Sequence, residues 1–349
     1  MTPECTPPAD PDMRLVFLHV PKTGGTSLHA ALARHFPPEA VAHVVGPADW
    51  RDALVPASRI RFVSGHTRFS AAVLLPGPLR VVTALREPVG RILSLYAFWK
   101  RHRDPSLPEL REAMEKDLLG FLLSPEPQVR AAIDNAMARQ IFGPALVAPD
   151  GSWVTPAAAQ GKARRLPEQE VVDGALANLT TCDAVGLVEE LPALYRRICA
   201  VTGMAPGSDP GWLNTRDNPP PGLGEAPAPE PLTPAIRAGL DRLTRLDRIV
   251  YEAARTSATR KAHGAPGNAP RASWSLDPLG FVDAVYRGLL GRSPTPDGLT
   301  MHAVALAEGT LAPADMLQRF AESGEFRARQ ASAARRDGCG EGGQSAVLR

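Results

Sequence analysis

Three runs along the 349-residue chain predict an α/β class with a central parallel sheet. They are Arg14-Leu15-Val16-Phe17-Leu18-His19-Val20, Leu79-Arg80-Val81-Val82-Thr83-Ala84-Leu85 and Cys182-Asp183-Ala184-Val185-Gly186-Leu187-Val188-Glu189. Each is a short apolar, β-rich stretch that leads through a turn into a helical pattern, and strands that alternate with helices in this way pair in parallel through crossover connections. With 44% hydrophobic residues the chain is long enough for one sizeable core and an accessory piece.

The first run passes into Pro21-Lys22-Thr23-Gly24-Gly25-Thr26-Ser27 and then an amphipathic helix. Glycines let backbone approach an anion closely, successive N–H groups aim at its oxygens, and the helix start adds unpaired donors and a positive dipole end. Lys22 supplies a point charge. A Walker nucleotide loop places its lysine after the glycines, whereas Lys22 precedes Gly24 and Gly25, so an ATPase reading fails at the first test.

The second run closes on Arg86, and Glu87-Pro88 starts a helix as proline at a first turn should. A strand end aims its last side chain at the crevice above the sheet, where α/β folds bind ligands. Two helical turns on, Ser94 can present a hydroxyl from the same side. Arginine suits phosphate because its planar fork donates in pairs. Alone, Arg86 reads as a surface residue of an ordinary turn; with the loop upstream the anion reading gains. Between these elements Arg61-Phe62-Val63-Ser64-Gly65-His66-Thr67-Arg68-Phe69 is another short β-rich run, ending in Gly-His. Imidazole, with an unperturbed pKa near 6.5, is an apt proton acceptor at neutral pH, although an isolated Gly-His is more often a capping or core feature.

Together these residues resemble the sulfotransferases that use adenosine 3′-phosphate 5′-phosphosulfate (PAPS), in particular the carbohydrate branch that includes heparan sulfate 2-O-sulfotransferase. VPKTGGTSL is similar to that family's 5′-phosphosulfate loop, and Arg86 with Ser94 to its 3′-phosphate element. The resemblance implies a P-loop-like three-layer fold, with PAPS as donor cosubstrate and no metal. It implies cofactor contacts from Lys22, Thr23, Gly24, Gly25, Thr26, Ser27, Arg86 and Ser94. It further implies His66 as general base, Lys22 as the charge that stabilises the leaving bisphosphate, and a hydroxyl acceptor of saccharide or polysaccharide type. A catalytically inactive nucleotide- or glycan-binding protein and an ATP-dependent phosphotransferase stay open as alternatives.

The remaining pattern predicts helices over 88–103, 107–123, 131–143, 166–179, 191–201 and 234–258. The segment around Asn135, Arg139 and Gln140 is similar to one near the family's acceptor cleft, which places those three residues on the acceptor side, against an equal expectation of plain helix surface. Residues 203–231, dense in proline, form a loop, within which Trp212-Leu213-Asn214-Thr215 resembles a family segment near the nucleotide. Leu246 to Tyr251 resembles the family's closing helix and is explained by core packing. His19 reads as a hydrogen-bonded buried residue. His29, His35, His43 and His102 have no partner motif, and the basic group Arg91, Lys100, Arg101, His102, Arg103 reads as a solvated helix end.

These readings divide the chain into a catalytic domain over 12–258, a Gly/Ala/Pro-rich linker over 259–276, a small all-α accessory domain over 277–330 and a polar tail over 331–349 expected to be disordered. The accessory segment resembles a helical module of unknown function and is a place for partner contact. A charge balance of 39 basic to 37 acidic residues argues against general nucleic-acid binding. Four cysteines show no metal or disulfide spacing. No apolar run reaches the roughly 20 residues that cross a bilayer, and the polar Met1–Pro11 start lacks a signal-peptide pattern. The expectation is a cytoplasmic enzyme of bacterial type.

Overall fold

The computed structural model describes residues 6–44, 59–72, 74–75, 78–102, 104–143, 146–147, 153–156, 163–211, 213, 223–225, 227–260, 278–307, 310–311 and 313–329. The linker and tail expected at 259–276 and 331–349 fall almost wholly outside them, as do Trp212, Asn214 and Thr215.

Five strands, β1 (Arg14–His19), β2 (Val41–Val44), β3 (Phe62–Gly65), β4 (Leu79–Leu85) and β8 (Ala184–Leu187), form one sheet in the order β2-β3-β1-β4-β8. Every pairing in it is parallel. Alternation along β1 sends its side chains to two layers. Leu15 and Phe17 meet Leu28 and Leu32 of α1 (Gly25–Ala33) and Tyr195 and Ile198 of α9 (Leu191–Thr202) on one face. Val16 and Leu18 share the opposite core with α7 (Ala136–Phe142), α8 (Glu168–Thr181) and α11 (Arg245–Arg260). Burial on both faces is what a parallel sheet requires, and it explains why these strands read as continuous apolar runs.

A third core joins α3 (Pro88–Trp99), α4 (Pro108–Glu115), α5 (Leu118–Leu122), α6 (Pro127–Ile133) and α10 (Pro234–Leu243) through Ile92, Leu95, Phe121, Ile133 and Leu240. Three helices expected to run unbroken are interrupted here. Lys116 is extended and Asp117 caps α5 by accepting from the Gly120 N–H at 2.7 Å. Asn135 adopts the left-handed region at φ 44° between α6 and α7, a conformation asparagine tolerates better than most residues. Thr244 leaves helical geometry between α10 and α11. Strand β2 and a small antiparallel sheet of β5 (Leu146–Val147), β6 (Trp153–Pro156) and β7 (Ala163–Leu166) had no clear sequence signal.

Toward the C-terminus, α12 (Pro278–Val285), α13 (Pro296–Ala307) and α14 (Pro313–Ala321) surround their own core of Val282, Tyr286, Ala303, Leu306 and Met316. These helices are seated on the main body. Val304 of α13 is fully buried in the same core as Phe69, Ala71 and Ala72 of α2 (Phe69–Ala72), and Leu74 packs into the C-terminal core. Among the described residues no helix is long and apolar enough to cross a membrane.

Candidate functional site at the carboxyl end of the sheet

The loop that leaves β1 is held by its own chemistry. The Thr23 hydroxyl, fully buried, donates to the Val20 carbonyl at 2.8 Å and closes the turn, so Thr23 contributes backbone rather than side chain to the crevice. Lys22 and Gly24 both take positive φ, 70° and 77°. At Lys22 this costs energy that an ordinary turn would avoid. Gly25 opens α1, and a Cβ there would overlap the His19 imidazole, so the residue must lack a side chain. Gly24 sits in the same way against Leu191 and Val188. Thr26 is exposed on the first turn. The Ser27 hydroxyl accepts from the Leu213 N–H at 2.9 Å and keeps its own proton to donate. That bond also places Leu213 of the proline-rich loop beside the helix start.

Arg86 comes off the end of β4, next to β1 in the sheet, and its Nη1 donates to the Lys22 carbonyl at 3.3 Å. Helix α3 begins immediately, with Glu87 accepting from the Val89 and Gly90 N–H groups. Its face toward the loop repeats every four residues. Gly90 lies against the Arg86 guanidinium, Ser94 is half-buried with no hydrogen bond recorded for its hydroxyl among the described residues, and the Phe98 ring carries the Lys22 ammonium at 3.8 Å. Burial, then the charges of Arg86 and Arg101, lower Lys22 from 10.5 to about 8. Arg86 is lowered mainly by burial as well, against the opposing pull of Glu189 and Glu87. Lys22 and Arg86 therefore stand together at the carboxyl end of the sheet as two cations that repel each other, an arrangement that an anion relieves, and Ser94 lies between Gly90 and Phe98 along the adjoining helix.

His66 follows β3. Its Nδ1 lies 3.1 Å from the His19 carbonyl, and because a carbonyl can only accept, Nδ1 carries the proton and Nε2 offers the lone pair. The residue is solvent-accessible yet closely surrounded by protein, and desolvation lowers its pKa below 6.5 despite the opposing bond to His19. The lowering favours the neutral ring, whose lone pair lies on Nε2. His19 is buried as expected, but its Nδ1 has no hydrogen-bond partner among the described residues; the ring stacks on Phe17 and lies 4.4 Å from that of His66. Two histidines without a sequence motif also belong here. His29 Nδ1 and His43 Nδ1 approach the Ser64 hydroxyl at 2.5 and 3.4 Å, and His43 adds to the lowering of His66. The missed signal is register, since β2 and β3 pair His43 with Ser64 directly.

The three residues expected on the acceptor side separate. Asn135 is buried and spent on structure, its Oδ1 accepting from the Leu246 N–H at 2.7 Å and its Nδ2 donating to Asp134 at 2.9 Å. The Arg139 guanidinium is buried, lowered to about 9 by desolvation and then by Arg68, with no hydrogen bond recorded for it among the described residues. Gln140 reaches the His66 turn, donating from Nε2 to the Thr67 carbonyl at 2.7 Å and the His19 carbonyl at 3.0 Å.

The helix Leu246 to Tyr251 holds more than core packing. Asp247, fully buried, accepts from the Ala138 N–H at 2.8 Å and so caps α7 from outside, while Asn135 caps α11 in return. Arg91 of α3 lies 4.0 Å from the other Asp247 oxygen and donates to the Ala132 carbonyl at 3.0 Å. Burial outweighs Arg91 and raises Asp247 from 3.8 to about 6. The basic group expected at a solvated helix end is dispersed accordingly. Arg91 is buried, Lys100 donates to Tyr96 and to the Lys116 carbonyl, and Arg101 donates to the Gly224 carbonyl.

Lys22 and Arg86 thus follow adjacent strands at the carboxyl end of a parallel α/β sheet, the end at which folds of this class place their ligands. Residues 274–330 match the family described as a domain of unknown function, DUF4214. The match covers the C-terminal helices and leaves the sheet and its crevice outside it. No curated protein matches the chain.

Proposed function

We propose that the chain is a PAPS-dependent sulfotransferase, with a P-loop-like three-layer catalytic domain over 12–258 and a small all-α accessory domain over 277–330, acting on a hydroxyl of a carbohydrate-type acceptor. The observation that supports this reading is the pairing of two cations at the ends of adjacent strands, the Arg86 guanidinium donating to the Lys22 carbonyl, with Ser94 about two helical turns beyond Arg86. In this reading the N–H groups of the loop from Thr23 to Ser27, through Gly24 and Gly25, hold the 5′ end together with the Thr26 and Ser27 hydroxyls. Arg86 and Ser94 hold the 3′-phosphate.

Transfer is a single in-line displacement. The acceptor oxygen forms a bond to sulfur as the bond from sulfur to the bridging oxygen breaks, and the bisphosphate departs with that electron pair. His66 Nε2 takes the acceptor proton. Lys22 leaves the Phe98 face and neutralises charge building on the bridging oxygen, a role that donors of this kind fill with about two to three orders of magnitude in rate. The residues supply every charge this scheme needs without a metal.

Titration with adenosine 3′,5′-bisphosphate without magnesium, against ATP with magnesium, tests the reading. Tight bisphosphate binding supports it; preference for ATP with a metal requirement supports a phosphotransferase. Transfer of radiolabelled sulfate to a panel of glycans then separates an enzyme from an inactive binder.

A further inference from the structure

We infer that Gln140 is a positioning residue for His66: it fixes the imidazole as the Nδ1–H tautomer and so leaves Nε2 to act as the base. The inference rests on the sulfotransferase reading for its chemistry, and on geometry alone for its structure. One primary amide, Gln140 Nε2, bridges two carbonyl oxygens, that of Thr67 at 2.7 Å and that of His19 at 3.0 Å. The His19 oxygen is the one that His66 Nδ1 approaches at 3.1 Å. Thr67 directly follows His66, so the bridge ties the backbone of the His66 turn to the end of β1 and keeps the ring beneath its acceptor. Only a donor can stand between two oxygens so placed, since without it their partial charges face each other. The helix that carries Gln140 is itself fixed at its first turn by Asp247 and at its far end by Arg68, which donates to the Gly143 carbonyl at 2.8 Å. Gln140 therefore acts through His66 and needs no contact with an acceptor.

Nitrogen-15 NMR of the histidine rings in the full-length protein reads the tautomer directly. Wild type is expected to show His66 with the proton on Nδ1, and a proton on Nε2 would overturn the inference outright. Gln140→Ala should let both tautomers populate and shift the His66 titration. Transfer should fall tenfold or more, with bisphosphate affinity unchanged within twofold. An unaltered His66 spectrum in a folded Gln140→Ala protein would equally overturn it. If that variant does not fold, the isosteric Gln140→Met, which lacks the donor, gives the same comparison. Failure of the sulfotransferase reading looks different: bisphosphate does not bind, while the tautomer still responds to Gln140.

Discussion

Lys22, Arg86 and Ser94 stand on two short stretches of chain, each a strand end running into a helix, and their neighbours in sequence are their neighbours in space. The His66 turn is held otherwise. Its carbonyls are gripped by Gln140, 73 residues beyond Thr67 and 121 beyond His19, and the helix that brings Gln140 there is capped by Asp247, 109 residues beyond Ala138. The cationic half is thus local and contiguous, while the imidazole half is assembled from the far parts of the chain. The lesson is that removing a residue from the first half should cost function with the fold intact, and cutting the supports of the second should cost the fold as well.

The largest effect should come from the buried support. Asp247→Ala leaves Arg91 without its counter-charge and α7 without its cap, and should destabilise the protein by about 3–5 kcal/mol, read by denaturant unfolding. A loss under about 1 kcal/mol would show that α7 stands without it. Next, Lys22→Ala should lower transfer by about two to three orders of magnitude while the unfolding midpoint stays put; a large drop in stability would erase the contrast between the halves. Arg86→Ala should weaken adenosine 3′,5′-bisphosphate by roughly 10- to 100-fold, the worth of a charged hydrogen bond, yet leave adenosine 5′-phosphate unaffected. Equal loss for both nucleotides would put Arg86 at the wrong end of the ligand.

The smallest effect is a slope. Lys22 sits at about 8 in the free protein because burial and the neighbouring arginines disfavour the ammonium, so the charged form is present below that pH and lost as pH rises through it. Bisphosphate affinity should fall above pH 8, approaching about tenfold per pH unit where one proton is linked to binding. Calorimetric titration between pH 7 and 9.5 checks this, and Lys22→Met should flatten the curve.

The same contrast explains what could be read from the sequence. The parallel sheet, the loop from Lys22 to Ser27 and the turn from Arg86 into α3 were legible because their signals, an apolar run, a small-residue loop and a proline at a first turn, all lie within a few residues. His66 was legible from its Gly-His turn, but the company it keeps was not. His29 and His43 reach Ser64 through strand register and helix placement, which a single sequence does not encode locally. Asn135 shows the same limit, since its polarity alone suggests a ligand and does not tell that its Oδ1 accepts from the backbone of a helix more than a hundred residues on. Asp247 sat in a helix whose apolar spacing was sufficient to explain it. The lone charge on the buried side was the unread signal, because an acid in the apolar stripe of a core helix must have donors waiting for it.

The exchange of caps between Asn135 and Asp247 locks two distant parts of the chain to each other. The Ala138 amide finds its acceptor on Asp247 and the Leu246 amide finds its acceptor on Asn135, so neither helix start is complete without the other. A chain cut before residue 247 would leave the start of α7 to water, and loosening at either helix would be felt at the other.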